Sequence, residues 1–296
     1  MMRYLRFLAA SLAGIAVVCL LASCGGNAAS NAFKTETESS ADSIVHTGFH
    51  AVVTLKVDYP VDGNPALLRN VREWISESLG GLYEGSLDKG DSLTRFYVAN
   101  KLGQAAEYDD PGLEQADSSD VDHRDMYYNS DETIKKEFEN DEIVSFSYTG
   151  YNYAGGAHGS SYVWYMSFRK EDGRRLDKSL FISSGIDSEM DISKAVKKGI
   201  AMQYFNLADP TTDAGEEALG EFLLNEQDKY LFPMPQSNPF FMADSVRFIY
   251  QQYEISCYAL GMPTCTIAYK DLLDYGCLSV TAKQLLIPDY KPSEEK

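Results

Sequence analysis

Two aromatic, β-prone runs, Ile143 to Tyr153 and Ser161 to Phe168, flank the bend Ala154-Gly155-Gly156-Ala157-His158-Gly159-Ser160. No other feature of the chain narrows the fold as far. Aromatic and β-branched residues suit a pleated surface, and glycines reach the positive φ that other residues avoid, so the segment predicts a hairpin. Eight rings fall within it: Phe146, Tyr148, Tyr151, Tyr153, Tyr162, Trp164, Tyr165 and Phe168. Alternation puts Tyr162, Trp164, Met166 and Phe168 on one face, with Val163 and Tyr165 on the other. Most such rings are expected in sheet core. Tyr151 and Tyr153, next to the bend, are the best placed for exposure. Tyr and Trp join apolar area to a polar tip, so Tyr151, Tyr153, Trp164 and His158 are the candidate ligand-binding residues. His158 also has a structural reading, as a ring that hydrogen-bonds the backbone of its own loop.

The rest of the chain mixes strands and helices without a regular βαβ alternation, which predicts an α+β fold, with mixed or antiparallel sheets and packed helices. From Phe49 to Tyr59 the sequence alternates: Ala51, Val53, Leu55, Val57 and Tyr59 share one face, and His50, Thr54, Lys56 and Asp58 the other. Asn64 caps a helix with Pro65 at its first position, carrying Leu68, Val71, Ile75 and Leu79 and stopped by Gly80-Gly81. A second helix begins near Asp91, with Leu93, Phe96, Tyr97 and Leu102. Asp172-Gly173 marks a tight turn. Ser188 with Asp191, and Asp213 with Glu216, suggest capping boxes for two further helices. Strands are expected at Val246–Tyr250, Tyr253–Tyr258 and Cys265–Tyr269, and a short helix at Lys270–Tyr275.

The amino terminus reads as an address. Arg3 and Arg6 precede the apolar run Phe7 to Leu21, which is short for a bilayer span and right for a signal-peptide core. It ends in Leu21-Ala22-Ser23-Cys24, a lipobox-like sequence in which Cys24 would take acyl chains, palmitate among them, and anchor the chain to a membrane. Gly25 follows with no adjacent aspartate, which points to the bacterial outer membrane, facing the periplasm. The expected organisation is a lipoprotein signal peptide over 1–23, a flexible tether over 24–46 and a small α+β subdomain over 47–140. A main domain over 141–281 and a tail over 282–296 complete it. Cys257 and Cys265 flank Gly261-Met262-Pro263 and are the candidate disulfide, leaving Cys277 free in an oxidising compartment.

Residues beyond the first 23 hold 24 Lys+Arg against 44 Asp+Glu, a net charge of −20. That argues against nucleic acid as a partner, since phosphate recognition needs a basic footprint, and favours cationic partners. Eight of the acids sit in 107–125 beside a single basic residue, Arg124, and the segment is read as a solvated loop. Its Asp117, Asp120, Asp122 and Asp125 lack the spacing and glycine of a calcium loop. His46-Thr47-Gly48-Phe49-His50 has a metal-motif spacing, but it runs into the alternating strand and lacks an upstream aspartate pair. No metal and no cofactor are expected. The glycines fit neither a dinucleotide fingerprint nor a P-loop, and no nucleophile elbow occurs.

Two stretches resemble a known family. The first is the Gly-Gly-Ala-His158-Gly hairpin followed by Asp172-Gly173 and Leu180-Phe181. The second is Phe240-Phe241, Phe248-Ile249-Tyr250, Tyr253-Glu254-Ile255, Tyr258, Gly261 and Thr266 to Tyr269. Together they are similar to the RsiV-like, PdaC-associated extracytoplasmic domain of unknown function, DUF3298 type, over about residues 140–280. The resemblance implies a recognition domain, since the extracytoplasmic part of RsiV binds lysozyme. The anti-sigma role does not carry over, because the chain has no sigma-binding segment or membrane-spanning helix of that kind. The reading is therefore a non-enzymatic envelope lipoprotein binding a protein or glycan ligand, with a cationic, lysozyme-like protein as the leading candidate. Two alternatives stay open: an enzyme or enzyme accessory acting on peptidoglycan or glycans, and a structural envelope protein.

Overall fold

The computed structural model describes residues 32–46, 48–107, 126–183, 191–288 and 290–291. The signal sequence, Cys24 and the acidic calcium candidates lie outside them.

The alternation from Phe49 is realised as β2 (Phe49–Asp62), whose Ala51, Val53, Leu55, Val57 and Tyr59 are all buried. Its antiparallel neighbour is β1 (Lys34–His46), in register from His46 opposite Phe49 to Thr35 opposite Pro60. This corrects the tether: residues 34–46 are a strand. Thr, Ser, Glu and Asp dominate β1, so no apolar alternation announces it. It sits at the sheet edge, where backbone pairing to β2 holds it, and Phe33 just before it is buried against Phe146.

Asn64 accepts from the Ala66 amide and starts α1 (Pro65–Ser78), which buries Leu67, Val71, Trp74 and Ile75. Helix α2 (Gly90–Glu107) follows, then β3 (Met126–Glu139), which runs parallel to β2. Strands β4 (Ile143–Tyr153) and β5 (Ser160–Arg169) form the expected hairpin, and β6 (Arg175–Leu176) closes the sheet. The six strands pair in sequence order. The junction expected near residue 140 is the turn between β3 and β4 of this one sheet. Helices α1 and α2 cover one face over a core that includes Val144, Phe146, Tyr148, Met166 and Phe168.

The second core belongs to the later half. It joins α3 (Ile192–Phe205) and α4 (Asp213–Phe222) to the antiparallel sheet β7 (Phe240–Phe241), β8 (Ser245–Ile249) and β9 (Thr264–Ala268). Helices α5 (Tyr269–Asp274) and α6 (Val280–Leu286) complete it. Three expectations change here. Asp191 itself caps α3, its carboxylate accepting from Ser193, and Ser188 lies outside the described residues; Thr212, not Asp213, caps α4. The tail does not begin at 282, because α6 buries Ala282 and Leu286. Residues 253–258 form a turn rather than a strand. There Glu254 takes the amides of Gln251 and Gln236, both at 2.6 Å, and Tyr253 sits at φ +62°.

The two sheets meet through hydroxyls. Ser145 on β4 donates to the Phe241 carbonyl at 2.8 Å, Ser167 on β5 accepts from the Phe241 amide, and the two hydroxyls bond each other at 2.7 Å. The small sheet's neighbours also finish β5. Only Ser167 and Phe168 pair with β6, which would leave the rest of that edge open. Gln251 closes it with its amide side chain, donating to the Val163 carbonyl at 2.6 Å and accepting from the Val163 amide at 3.1 Å. Gln252 and Ser237 accept from the amides of Ser161 and Tyr165. The hairpin and the late Tyr-Glu-Ile stretch thus touch directly. Gln251→Ala is expected to cost about 1–3 kcal/mol, because it strands both polar groups of Val163; urea unfolding measures it.

The candidate disulfide is absent: Cys257 and Cys265 are both free. Cys265 faces inward on β9 with its sulfur 3.8 Å from the Val196 carbonyl on α3, whereas Cys257 is exposed in the turn. Burial pushes the Cys265 thiol up to about 12 and that of Cys277, also free, to about 11. Of the three described cysteines, a maleimide should therefore label only Cys257 in the native protein, with Cys265 and Cys277 reacting only after denaturation. Mass spectrometry of the labelled peptides checks this.

Candidate functional site

The bend at the hairpin tip is built by its glycines. Gly155 and Gly156 sit at φ +88° and +87°, and the Tyr153 hydroxyl donates to the Gly156 carbonyl at 3.0 Å. Gly159 has a different reason: a Cβ there would lie 2.3 Å from the Tyr151 hydroxyl, so only glycine lets that ring lie across the backbone. The His158 Nδ1–H donates to the Gly159 carbonyl at 2.9 Å. The Tyr258 hydroxyl donates to the same carbonyl at 3.2 Å. This shared acceptor ties the tip to the late turn.

The consequence is a row of rings. His158 stacks on Tyr258 with centroids 4.1 Å apart and planes 25° apart, and Tyr258 meets Tyr253 at 5.7 Å and 33°. Tyr253 is 55% exposed and Tyr151 41%. A bulky residue held at φ +62° is unusual, and strain of this kind persists only where the surroundings impose it. Here the Glu254 clip and the Gln251 and Gln252 contacts impose it, and the result presents a phenol to solvent.

Of the four expected ligand-binding residues, the structure brings Tyr151, Tyr153 and His158 to the tip. Trp164 is elsewhere: it packs with Tyr162 on the opposite face of the sheet, against the helix-covered core. Tyr253 and Tyr258 complete the row. They were visible in the sequence as part of a strand, and the turn that exposes them was not.

A second constellation has no counterpart in the hydropathy pattern of the sequence. Glu132 points into the core from β3, with its side chain fully buried. Tyr97 donates to one carboxylate oxygen at 2.6 Å and Tyr148 at 2.5 Å, while Ser130 at 2.9 Å and the Lys101 ammonium of α2 serve the other. Tyr162 extends the chain to Tyr148 at 3.0 Å. Burial alone would raise the Glu132 carboxyl; the bonds from Lys101, Tyr148 and Tyr97 outweigh it and hold the pKa below the ordinary 4.5. Burial, then the Glu132 charge, pushes Tyr148, Tyr97 and Tyr162 up. Every member has a partner and the cluster is closed off under α2, so its role is to hold α2 on the sheet.

His50 of the metal-like spacing lies on β2, stacked on Tyr127 at 5.1 Å. Among the described residues no three His, Cys, Asp or Glu side chains are grouped to hold a metal ion. Nor is any described helix long and apolar enough to cross a membrane.

Fold and site together define an α+β protein with an exposed ring row where a hairpin tip meets a later turn. Residues 178–270 match the family described as a protein of unknown function (DUF3298). The match takes in the late stretch and begins after the hairpin. A DUF3298 family member from Bacteroides fragilis NCTC 9343 has a similar crystal structure. Its TM-score is 0.62 at 17% identity, covering 86% of this chain and 99% of that one. A DUF3298 family protein from Pseudomonas aeruginosa PAO1 gives 0.52 at 16% identity, covering 85% and 96%. At these identities the likeness is one of fold, and it reaches well beyond 178–270, into the six-stranded sheet. No curated protein matches the chain.

Proposed function

We propose that the protein is a non-enzymatic envelope lipoprotein, anchored through Cys24 in the bacterial outer membrane and facing the periplasm. It binds a protein or glycan ligand at the His158–Tyr258–Tyr253 row. The observation that carries the reading is the row itself: His158 stacked on Tyr258 with Tyr253 tilted beside it, fixed by a shared carbonyl and a strained turn, with His158 and Tyr253 exposed. Preset aromatic surface costs little entropy on binding, and Tyr is enriched where binding energy concentrates. The net charge of −20 speeds encounter with cationic proteins, so a lysozyme-like protein is the first ligand to try. The resemblance to the RsiV-like domain favours the same choice.

The test is retention of lysozyme by the immobilised protein at low and moderate salt. Wild type should retain it at both, and Tyr253→Ala with Tyr258→Ala should weaken retention by at least about tenfold, the loss expected of a recognition hot spot. Soluble peptidoglycan fragments form the glycan arm. No binding in either arm, or binding indifferent to the double substitution, would remove the proposal.

A further inference from the structure

A separate cleft lies at the other end of the hairpin. Strand β4 has 11 residues, so its two ends, and with them the ring row and this cleft, are separated by roughly 30 Å. The cleft holds about 560 Å³ and is formed where the β3–β4 turn, the end of β5, β7 and α6 converge. Its floor is apolar: Met242, Leu285 and Ile287 line it, all partly buried. Its rim is acidic, with Asp141 and Glu142 from one turn and Glu171 from the other.

The carboxylates of Asp141, Glu142 and Glu171 make no ion pair or hydrogen bond among the described residues. The one cation on the lining, Arg169, feels Glu171 and Glu142, but its guanidinium is forked onto Asp172. The Lys170 ammonium beside it is held by Glu139 and the Asn140 carbonyl. The last turn of α6 lies on the same wall, and a helix's final carbonyls have no partner within the helix.

We infer that this cleft binds an aliphatic polyamine, its methylenes on the Met242–Leu285–Ile287 floor and its ammonium groups on the Asp141, Glu142 and Glu171 carboxylates. The occupant follows from three features together. An apolar floor alone would take any hydrocarbon, and an acidic rim alone would take a metal ion or nothing. Acids from two different turns bordering an apolar floor match cations spaced along a hydrocarbon chain. The volume suits a small molecule. The inference goes beyond the recognition role proposed above and does not depend on it.

Isothermal titration of the full-length protein in detergent with spermidine tests it. The expected result is saturable binding of one equivalent. Glu142→Gln with Glu171→Gln should weaken it about tenfold, the size of two exposed ion pairs at about 0.7 kcal/mol each. Glu217→Gln with Glu221→Gln, which removes the same charge from the exposed face of α4, should leave it unchanged, as should Tyr253→Ala with Tyr258→Ala. 1,6-Hexanediol should not bind. The inference is overturned by the absence of saturation, by equal weakening in both charge pairs (diffuse attraction to an acidic chain), or by a lysine-rich peptide binding the cleft more tightly than spermidine.

Discussion

Glu132→Ala is expected to destabilise the protein by about 3–5 kcal/mol, the cost of removing one partner from a buried, hydrogen-bonded ion pair. The substitution leaves Tyr97, Tyr148 and Ser130 without their acceptor and the Lys101 ammonium without its counter-charge. Helix α2 should loosen first, since Lys101 and Tyr97 are its polar ties to the sheet. Lys101→Met should be nearly as costly, because it leaves a charged carboxylate buried. The double variant Glu132→Gln with Lys101→Met should be more stable than Lys101→Met alone, a coupling that a double-mutant cycle in urea reads directly. The pH dependence follows from the directions of the shifts. Glu132 titrates below its ordinary 4.5, so its contribution is complete above that pH and is lost as pH falls through the lowered value. Tyr97, Tyr148 and Tyr162 titrate above their ordinary 10.0, so the folded state holds their protons more tightly. Their contribution is complete below pH 10 and is lost as pH rises further. Thermal melts should show a plateau between these limits, and Glu132→Gln should flatten the acid flank.

The second large effect belongs to Phe146. Its ring is fully buried at the centre of the sheet–helix core, in contact with Phe33 at 6.1 Å, Trp74 at 5.9 Å and Phe168 at 6.3 Å between centroids. These neighbours come from the segment before β1, from α1 and from β5, so they cannot collapse together into the space a smaller residue leaves. Phe146→Ala should cost about 3–5 kcal/mol, the upper range for such truncations. Phe146→Leu should cost markedly less, because most of the volume is kept. Paired urea titrations separate the two; equal losses would mean the ring's size is not what matters there.

What could be read in the sequence depended on whether apolar spacing carried the signal. Strand β2 was legible because Ala51, Val53, Leu55, Val57 and Tyr59 alternate, and α1 because Asn64-Pro65 marks its start. Strand β3 was not legible, since its buried face carries Ser130 and Glu132 beside Ile134, residues that a hydropathy pattern assigns to solvent. Their burial is offset by partners distant in the chain, Lys101 on α2 and Tyr148 on β4. Strand β1 hid for a related reason, being a polar edge strand held by backbone bonds. The turn at 253–258 reads as a strand by composition, Tyr-Glu-Ile-Ser-Cys-Tyr. It bends because the Glu254 carboxylate captures two amides, one of them 18 residues upstream. The ring row was therefore half visible: Tyr151, Tyr153 and His158 came from the glycine bend, and Tyr253 and Tyr258 needed the fold. The disulfide reading failed on orientation, which a spacing of seven intervening residues does not contain.

On the function proposed above, the hairpin tip and the late turn form one recognition face. Hydrogen exchange of the full-length protein, with and without lysozyme and with and without peptidoglycan fragments, tests it most directly. Slowed exchange is expected in 154–161 and 251–258 together on addition of the ligand that binds. Slowing confined to other segments, such as the β1 edge, or in only one of the two, would contradict it.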